Sequence, residues 1–199
     1  MRLLFIRHCE PDYEHDTITK KGWREARLLT ERLKTINIDH FYVSPLGRAK
    51  DTASLLLNDL NETAVECDWL REFPPMIWRP DDDTKKHIAW DWLPEDWTGT
   101  NEFFDRHKWS EPDVMKGGNV GEEYLRVIGS FDDLLEKHGY KREGEIYNAI
   151  RPSRETIAFF CHFGIETLRE IYVTLNRGKL LKGAGMESRD STLGAQHPG

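Results

Sequence analysis

Apolar and polar positions along the chain follow two alternating patterns. Short apolar or alternating runs, typical of strands, cover residues 2–7, 40–44, 64–70 and 156–162. Helical spacing or helix-start signals cover residues 20–34, 45–57, 120–138 and 164–175. This alternation predicts an α/β fold, a three-layer α/β/α sandwich with a mostly parallel central sheet.

Three of these helices are expected to begin at capping residues. Thr19 precedes the first helix and Asn119 precedes the helix at 120–138. Ser44 and Pro45 are expected to be the N-cap and the first-turn proline of the second helix. That helix is therefore predicted to start directly at the end of a strand.

The remaining segments set the domain organisation. Residues 74–118 show neither strand nor helix periodicity and are rich in prolines, charged residues and tryptophans. We expect them to form a helical or irregular lid insertion. A polar link joins the helix at 120–138 to the last strand, and residues 178–199 are glycine-rich and irregular. The sequence therefore predicts one domain over residues 1–177 with a C-terminal tail.

Aromatic residues are concentrated in the insertion. The favoured interpretation is that these residues form the core of the insertion. A second interpretation is that the insertion is a lid whose aromatic rings select the organic part of a substrate. The two interpretations are compatible. Five basic side chains nearby offer cations for a second acidic group. The aromatic residues are Trp78, Trp90, Trp92, Trp97, Phe103, Phe104 and Trp109, and the basic ones are Arg79, Lys85, Lys86, His87 and Arg106.

Composition and charge exclude several classes of partner. The formal net charge of −7 gives no reason to expect binding to nucleic acid or to an anionic membrane, and no run approaches the roughly 20 apolar residues of a spanning helix. Three cysteines, an odd number, and no secretory signal pattern at the N-terminus indicate reduced thiols and a cytoplasmic protein. The oligomeric state stays open.

Two strand-like runs end on a histidine, and these ends carry the candidate chemistry. His8 follows the first run, next to Arg7, and His162 follows the last run. Ligands bind beyond the carboxyl edge of an open α/β sheet, so we expect both histidines there. Arg48 lies near the start of the predicted second helix, where free N–H groups attract an anion. Two guanidinium groups and two imidazoles predict an anion pocket.

Phosphoryl transfer would use each of these groups. His8 can attack phosphorus only as a neutral imidazole, and the charge of Arg7 disfavours its protonated form. The planar fork of an arginine matches phosphate oxygens better than a lysine does, which suits both Arg7 and Arg48. Because the net charge opposes an anionic substrate, these local cations must outweigh it.

Five motifs in order resemble those of the histidine phosphatase superfamily, which has the phosphoglycerate-mutase-like fold. The resemblance covers roughly residues 1–172. The motifs are Arg7-His8-Cys9-Glu10-Pro11, Ile18-Thr19-Lys20-Lys21-Gly22 with Ala26, Ser44-Pro45-Leu46-Gly47-Arg48-Ala49 with Thr52-Ala53, Gly121-Glu122, and Cys161-His162-Phe163-Gly164.

The resemblance implies a role for each matching residue. His8 would be the phosphorylated nucleophile, with Arg7, Arg48 and His162 binding the phosphate and His162 also assisting catalysis. The acid of the family usually follows the third strand, which points to Glu72. The implied activity is that of a phosphatase acting on a small phosphomonoester without cofactor or metal.

Two other activities remain open within the resemblance. One is a phosphoglycerate-type mutase, less favoured because the chain lacks the longer signature of the cofactor-dependent mutases. The other is a catalytically weak phosphate-binding regulatory module, because Cys9 and Phe163 replace glycines of the family. The family also continues beyond the last predicted helix into a further strand, which the glycine-rich C-terminus here does not predict.

Three further interpretations of the sequence are disfavoured. Cys9 and Cys161 adjoin the two histidines, but neighbours along a strand point to opposite faces, so four zinc ligands would not converge. A disulfide between these cysteines is no more favoured. The acidic run at residues 81–83 lacks the preceding apolar strand of an aspartyl-phosphatase loop, and we expect it to be solvated.

Overall fold

A computed structural model describes residues 1–89, 91–105 and 107–165 of the chain. The strands are β1 (Arg2–Arg7), β2 (Pro11–Asp12), β3 (Thr17–Ile18), β4 (His40–Val43), β5 (Val65–Glu66), β6 (Met76–Arg79), β7 (Asp82–Ile88), β8 (Tyr140–Glu143), β9 (Ile146–Ala149) and β10 (Thr156–Cys161). The helices are α1 (Lys20–Leu33), α2 (Gly47–Leu60), α3 (Pro94–Thr98), α4 (Asp113–Lys116) and α5 (Val120–Lys137), with 3₁₀ turns at Asp68–Leu70 and Asn101–Phe104.

The central sheet has four parallel strands in the order β1-β10-β4-β5. In the register, Leu3 pairs with Ile157 and Ile157 pairs with His40. Every residue of β10 is buried, because this strand has a neighbour on each side and helices on each face. This central position explains why residues 157–161 of β10 are all apolar.

Side chains of β10 alternate between two cores, which makes the fold a three-layer sandwich. Ile157 and Phe159 pack in the cluster that contains α5 residues such as Phe131. Ala158 and Phe160 pack on the opposite face, in the cluster that contains residues of α1 and α2 such as Leu56. The predicted three-layer α/β/α class is therefore confirmed.

The first helix begins as predicted, but the second does not. The Thr19 side chain accepts a hydrogen bond from Gly22 N–H and caps α1. Ser44 does not cap α2, which begins at Gly47 with Leu46 in the capping position. Ser44 Oγ instead accepts a bond from Leu46 N–H in a short turn after β4. The prediction was wrong because Ser-Pro also starts a turn, and here the turn comes first.

Two loop regions contain more structure than the sequence predicted, and one strand contains less. The third strand of the sheet is only Val65–Glu66, followed by a 3₁₀ turn where alternation predicted more strand. The insertion contains the antiparallel hairpin β6–β7, and the polar link contains the hairpin β8–β9. Most of β7 is exposed, so its side chains show no apolar alternation.

Some predictions fall on residues that the structure does not describe. They include most of the helix at 164–175, the tail at 178–199, Trp90 and Arg106. Among the described residues, no helix combines the length and the apolar character needed to cross a lipid bilayer.

Candidate active site

The carboxyl ends of β1 and β10 place two histidines side by side. The strands are parallel neighbours, and His8 N–H donates to Cys161 O at 3.0 Å. His162 follows β10 directly, and the centroids of the two imidazole rings lie 5.2 Å apart. Both side chains are buried, His162 completely. The structure thus brings the two sequence-predicted histidines together at the sheet edge.

A backbone carbonyl fixes the tautomer of His8. His8 Nδ1 lies 2.8 Å from Cys9 O. A carbonyl oxygen only accepts, so Nδ1 must carry the proton and donate it. Nε2 then has the lone pair. The neutral ring therefore presents a nucleophilic nitrogen whose position is set by the turn after β1.

A hydroxyl group contacts the ring of His162. His162 Nε2 lies 2.8 Å from Ser44 Oγ. A hydroxyl both donates and accepts, and Ser44 Oγ also accepts from Leu46 N–H. When Ser44 Oγ donates to His162 Nε2, the ring proton resides on Nδ1, which has no hydrogen-bond partner among the described residues. In that tautomer His162 can donate an N–H to a phosphoryl oxygen.

Burial keeps both imidazoles neutral. Desolvation lowers the pKa of His8 below its usual range; the bond to Cys9 opposes this effect, and the charges of Arg48 and Arg7 reinforce it. Desolvation, followed by the charge of Arg48, lowers the pKa of His162 to about 3. Burial is thus the larger cause, and the arginine charge expected from the sequence is the smaller one.

Arg48 is held by a carboxylate that the sequence did not predict. Its Nη1 donates to Asp16 Oδ1 at 2.7 Å, and Gly47 N–H donates to Asp16 Oδ2 at 2.7 Å. Asp16 therefore binds the start of α2 as an anion would. Arg48 Nε is buried and has no partner in the described part of the chain. A phosphoryl oxygen would satisfy this donor.

Asp16 lies in the loop between β2 and β3, at a φ of 47°. Partial burial opposes its ionisation, but the bonds from Gly47 and Arg48 outweigh that effect and hold its pKa below the usual range. An aspartate in the left-handed region of a turn is a weak sequence signal, because aspartate is common in turns of every kind. Its contact with Arg48 depends on the path of this loop.

Glu72 also reaches the site. Its Oε1 accepts hydrogen bonds from Gly164 N–H at 2.9 Å and from Phe73 N–H at 3.3 Å. Ligand atoms of Glu72, His8 and His162 all lie within 4.8 Å of one another. The carboxyl group predicted as the acid is therefore close enough to exchange a proton with a group bound between the two histidines.

The two residues that depart from the family pattern both make contacts beside the site. Cys9 is buried, and its N–H donates to Thr52 Oγ1 at 3.0 Å. Thr52 Oγ1 in turn donates to Arg48 O at 2.8 Å, so the Cys9 turn is tied to α2. The Phe163 ring lies beneath the guanidinium of Arg7, 5.4 Å from ring centroid to Cζ. This cation–π contact orients Arg7 at the end of β1.

The insertion contains an aromatic cluster of Trp92, Trp97 and Phe103. Its ring centroids are 4.9 to 5.7 Å apart, and all three residues pack against the main core. Trp109 packs separately on Tyr124 of α5, at 5.0 Å. These contacts support the interpretation of a core for Trp92, Trp97, Phe103 and Trp109. Trp78 and Phe104 are instead exposed, so the interpretation was wrong for these two.

The trio of His8, Glu72 and His162 also has a spacing that fits a metal ion. Arg48 and Arg7 lower the pKa of both rings by their positive charge, and the same charge repels a cation. The same charges favour an anion at this position. No disulfide joins Cys9 and Cys161, and the clusters of three potential ligands in the described part of the chain include neither cysteine.

The comparisons with known proteins agree with this architecture. Residues 3–143 match the family model of the histidine phosphatase superfamily (branch 1). The chain therefore belongs to the histidine phosphatase superfamily.

Individual relatives are more distant. A 2,3-bisphosphoglycerate-dependent phosphoglycerate mutase from Thermoplasma acidophilum is 35% identical over 72 residues, which span 31% of this chain and only 36% of the mutase. Phosphoserine phosphatase from Entamoeba histolytica, solved with 3-phosphoglyceric acid, has a TM-score of 0.54 at 18% identity, covering 87% of this chain and 79% of that one. A mycobacterial hydrolase has a TM-score of 0.50 at 19% identity over 84% of this chain and 77% of its own. These two structures show the same fold.

Proposed function

We propose that the protein is a cofactor-independent phosphomonoesterase that acts on a small phosphorylated molecule through a phosphohistidine on His8. The observation that carries the proposal is the His8 tautomer. Its Nδ1–H is bound to a backbone carbonyl, which leaves the lone pair on Nε2 in a pocket with two arginines. A buried neutral imidazole in such a pocket is suited to attack an anionic phosphoryl group.

In the proposed reaction, Arg7, Arg48 and His162 bind the phosphoryl oxygens while His8 Nε2 attacks phosphorus. The bond from phosphorus to the ester oxygen breaks, and Glu72 donates a proton to the leaving oxygen. The arriving dianion favours the protonated form of the neighbouring carboxyl. Water then attacks the phosphohistidine, and Glu72 takes back a proton as phosphate forms. The positive charges stabilise the transferring group in both steps.

The proposal also includes the extent of the catalytic domain, the location of the protein and the type of substrate. We propose that the catalytic domain extends over residues 1–177, with the insertion at 74–118 as a lid and residues 178–199 as a tail. We also propose a cytoplasmic location, which the three reduced cysteines support. The acidic net charge supports a small-molecule substrate rather than nucleic acid.

Hydrolysis of p-nitrophenyl phosphate and trapping of a ³²P label test the mechanism. After denaturation in alkali, which preserves phosphohistidine, we expect the label on wild-type protein and none on His8→Asn, with turnover reduced by at least about 10³-fold. His15→Asn is the matched control, because His15 is exposed and pairs with Asp12, the partly exposed last residue of β2. Label retained in His8→Asn would refute the role of His8.

A phosphoglycerate-type mutase is the second candidate, favoured by the 72-residue similarity to such an enzyme. A mutase must return the phosphoryl group from His8 to another hydroxyl before water reaches it. Incubation with 3-phosphoglycerate separates the two: release of inorganic phosphate supports the phosphatase, and isomerisation without release supports the mutase. A regulatory module would bind vanadate and do neither.

A further inference from the structure

A second cluster of titratable side chains lies at the edge of the central sheet opposite the candidate active site. His40 is the first residue of β4, Glu155 directly precedes β10, and His138 directly follows α5. Because β4 and β10 are parallel, their amino ends share one edge, while His8 and His162 occupy the other. The cluster is therefore separate from the phosphate pocket.

The Glu155 carboxylate lies between the two imidazoles. Its Oε2 is 3.3 Å from His138 Nδ1, and its Oε1 is 3.9 Å from His40 Nε2. The two imidazole centroids are 4.7 Å apart. Ligand atoms of all three residues lie within 4.8 Å of one another. One nitrogen from each ring and one carboxylate thus converge on a single point.

One of these separations, 3.3 Å, is that of donors sharing a zinc ion, and the other, 3.9 Å, needs a small movement of the exposed His40 or Glu155 side chain. Two donors bound tetrahedrally at about 2.1 Å lie about 3.4 Å apart. The set of two histidines and one glutamate is also a ligand set that zinc uses. We propose that His40, His138 and Glu155 form a binding site for a divalent transition-metal ion such as Zn²⁺, with water completing the coordination.

The surroundings of the cluster support a metal better than a phosphate. Tyr42 Oη is 2.9 Å from His138 Nε2. With a metal on Nδ1, the ring proton resides on Nε2 and Tyr42 Oη accepts it, which is the usual outer contact of a metal-bound histidine. The Ser153 hydroxyl donates to Glu155 Oε2 at 3.1 Å and orients the carboxylate. The ion pairs of Glu155 are with the two histidines.

Access to the cluster is open from solvent. His138 is 8% exposed and provides a rigid ligand. The side chains of His40 and Glu155 are 42% and 37% exposed, so an ion can enter without unfolding the chain. Binding would join the start of β4, the end of α5 and the start of β10. An ion that binds only the folded chain raises its unfolding temperature by mass action.

Titration of the full-length protein with Co²⁺ tests the site, because cobalt at a site with nitrogen ligands absorbs visible light. We expect one ion per chain, visible absorption bands, and an unfolding temperature that rises with the Co²⁺ concentration. His40→Ala and Glu155→Gln should each weaken binding by at least tenfold and remove the rise. Both side chains are partly exposed, so the folded state should survive, which circular dichroism checks.

His15→Ala is the matched control, because His15 is an exposed histidine that also pairs with a carboxylate, that of Asp12. It should bind Co²⁺ as the wild type does, and His40→Ala should hydrolyse p-nitrophenyl phosphate normally. Wild-type protein that binds no Co²⁺ at millimolar concentration would overturn the proposal. Binding that persists in both cluster variants, or that disappears in His8→Asn, would also overturn it. None of these outcomes depends on phosphatase activity.

Discussion

At the scale of single residues, the site is organised by which nitrogen of each histidine is already bonded. His8 uses Nδ1 for the Cys9 carbonyl, and His162 uses Nε2 for the Ser44 hydroxyl. The two rings are complementary when Ser44 donates to His162: His8 then presents a lone pair and His162 presents an N–H. In the proposed mechanism, a single phosphoryl group between them would meet a nucleophile and a donor.

Glu72 gives the residue-scale prediction. Glu72→Gln keeps an oxygen that can accept from Gly164 N–H, so the local structure should remain, but the amide cannot supply a proton. We expect kcat for p-nitrophenyl phosphate to fall about 10²- to 10⁴-fold while the affinity for vanadate is unchanged. Steady-state kinetics and vanadate inhibition measure the two effects.

The control for Glu72→Gln is Glu62→Gln, which changes an exposed glutamate after α2 and should leave both quantities unchanged. Unchanged kcat/KM in Glu72→Gln would remove Glu72 from the mechanism. Loss of vanadate binding would instead show that this carboxyl group acts in forming the pocket.

The sequence indicated which side chains meet at this sheet edge, because each of them follows a strand or begins a helix. His8, His162 and Glu72 lie beyond strand ends, and parallel strands bring those ends to one edge. Asp16 was not predicted, because its position depends on a short loop with a positive φ. Local sequence identifies such a loop as a turn and does not say which residue it will contact.

At the scale of elements, the start of α2 depends on close contact with the loop that contains Asp16. A Cβ atom at Gly47 would overlap the backbone oxygen of Asp16, so the loop can approach the helix only if residue 47 is glycine. This approach allows Asp16 to accept hydrogen bonds from Gly47 N–H and Arg48 Nη1. The position of the second arginine is therefore coupled to this glycine.

Gly47→Ala should accordingly push the Asp16 loop away from α2. We expect the free energy of unfolding to fall by about 1–3 kcal/mol, since a backbone atom must move, and KM for p-nitrophenyl phosphate to rise as Arg48 loses its partner. Urea denaturation and steady-state kinetics measure these changes.

Gly129→Ala is the matched helical control, because a Cβ there meets no atom within 4 Å. It should be neutral or stabilise the protein by up to about 1 kcal/mol. Equal effects of the two substitutions would show that the contact at Gly47 is unimportant.

Prediction of the elements succeeded where burial leaves a pattern in the sequence. β10 and α5 were predicted from apolar residues that the structure mostly buries, and β1 from apolar residues that it buries or half-buries. The β6–β7 hairpin was missed because the residues Lys85 and Lys86 of β7 are exposed, so main-chain pairing rather than burial defines that strand. The third strand was predicted too long because the alternation of Val65, Cys67 and Trp69 continues into a 3₁₀ turn.

At the scale of the whole molecule, burying neutral histidines links stability to pH. The pKa of His162 is about 3 in the native state, against about 6.5 in the unfolded chain, and that of His8 is also lowered. Between these values the unfolded chain binds a proton that the native ring does not. The contribution of these histidines to the free energy of unfolding is therefore complete above pH 6.5 and is lost as the pH falls below that value.

We expect the free energy of unfolding to drop by about 2 kcal/mol between pH 6.5 and pH 4.5 from His162 alone, with His8 adding to the loss. Urea denaturation at several pH values measures the slope. His162→Gln should be less stable at neutral pH but should show a shallower slope. A slope as steep as that of the wild type would show that His162 is not the source.

The order of strands in the sheet has a consequence for how the chain folds during synthesis. β10 comes last among the described strands, yet it lies between β1 and β4 and pairs with both. As the ribosome adds residues, β4 can pair with β5 soon after both emerge, but β1 has no neighbour in the sheet until β10 appears. More than half of the chain separates β4 from β10, so the sheet closes only after that stretch has emerged. Contacts so distant in sequence form slowly, so until then the nascent chain exposes the apolar edges of β1 and β4.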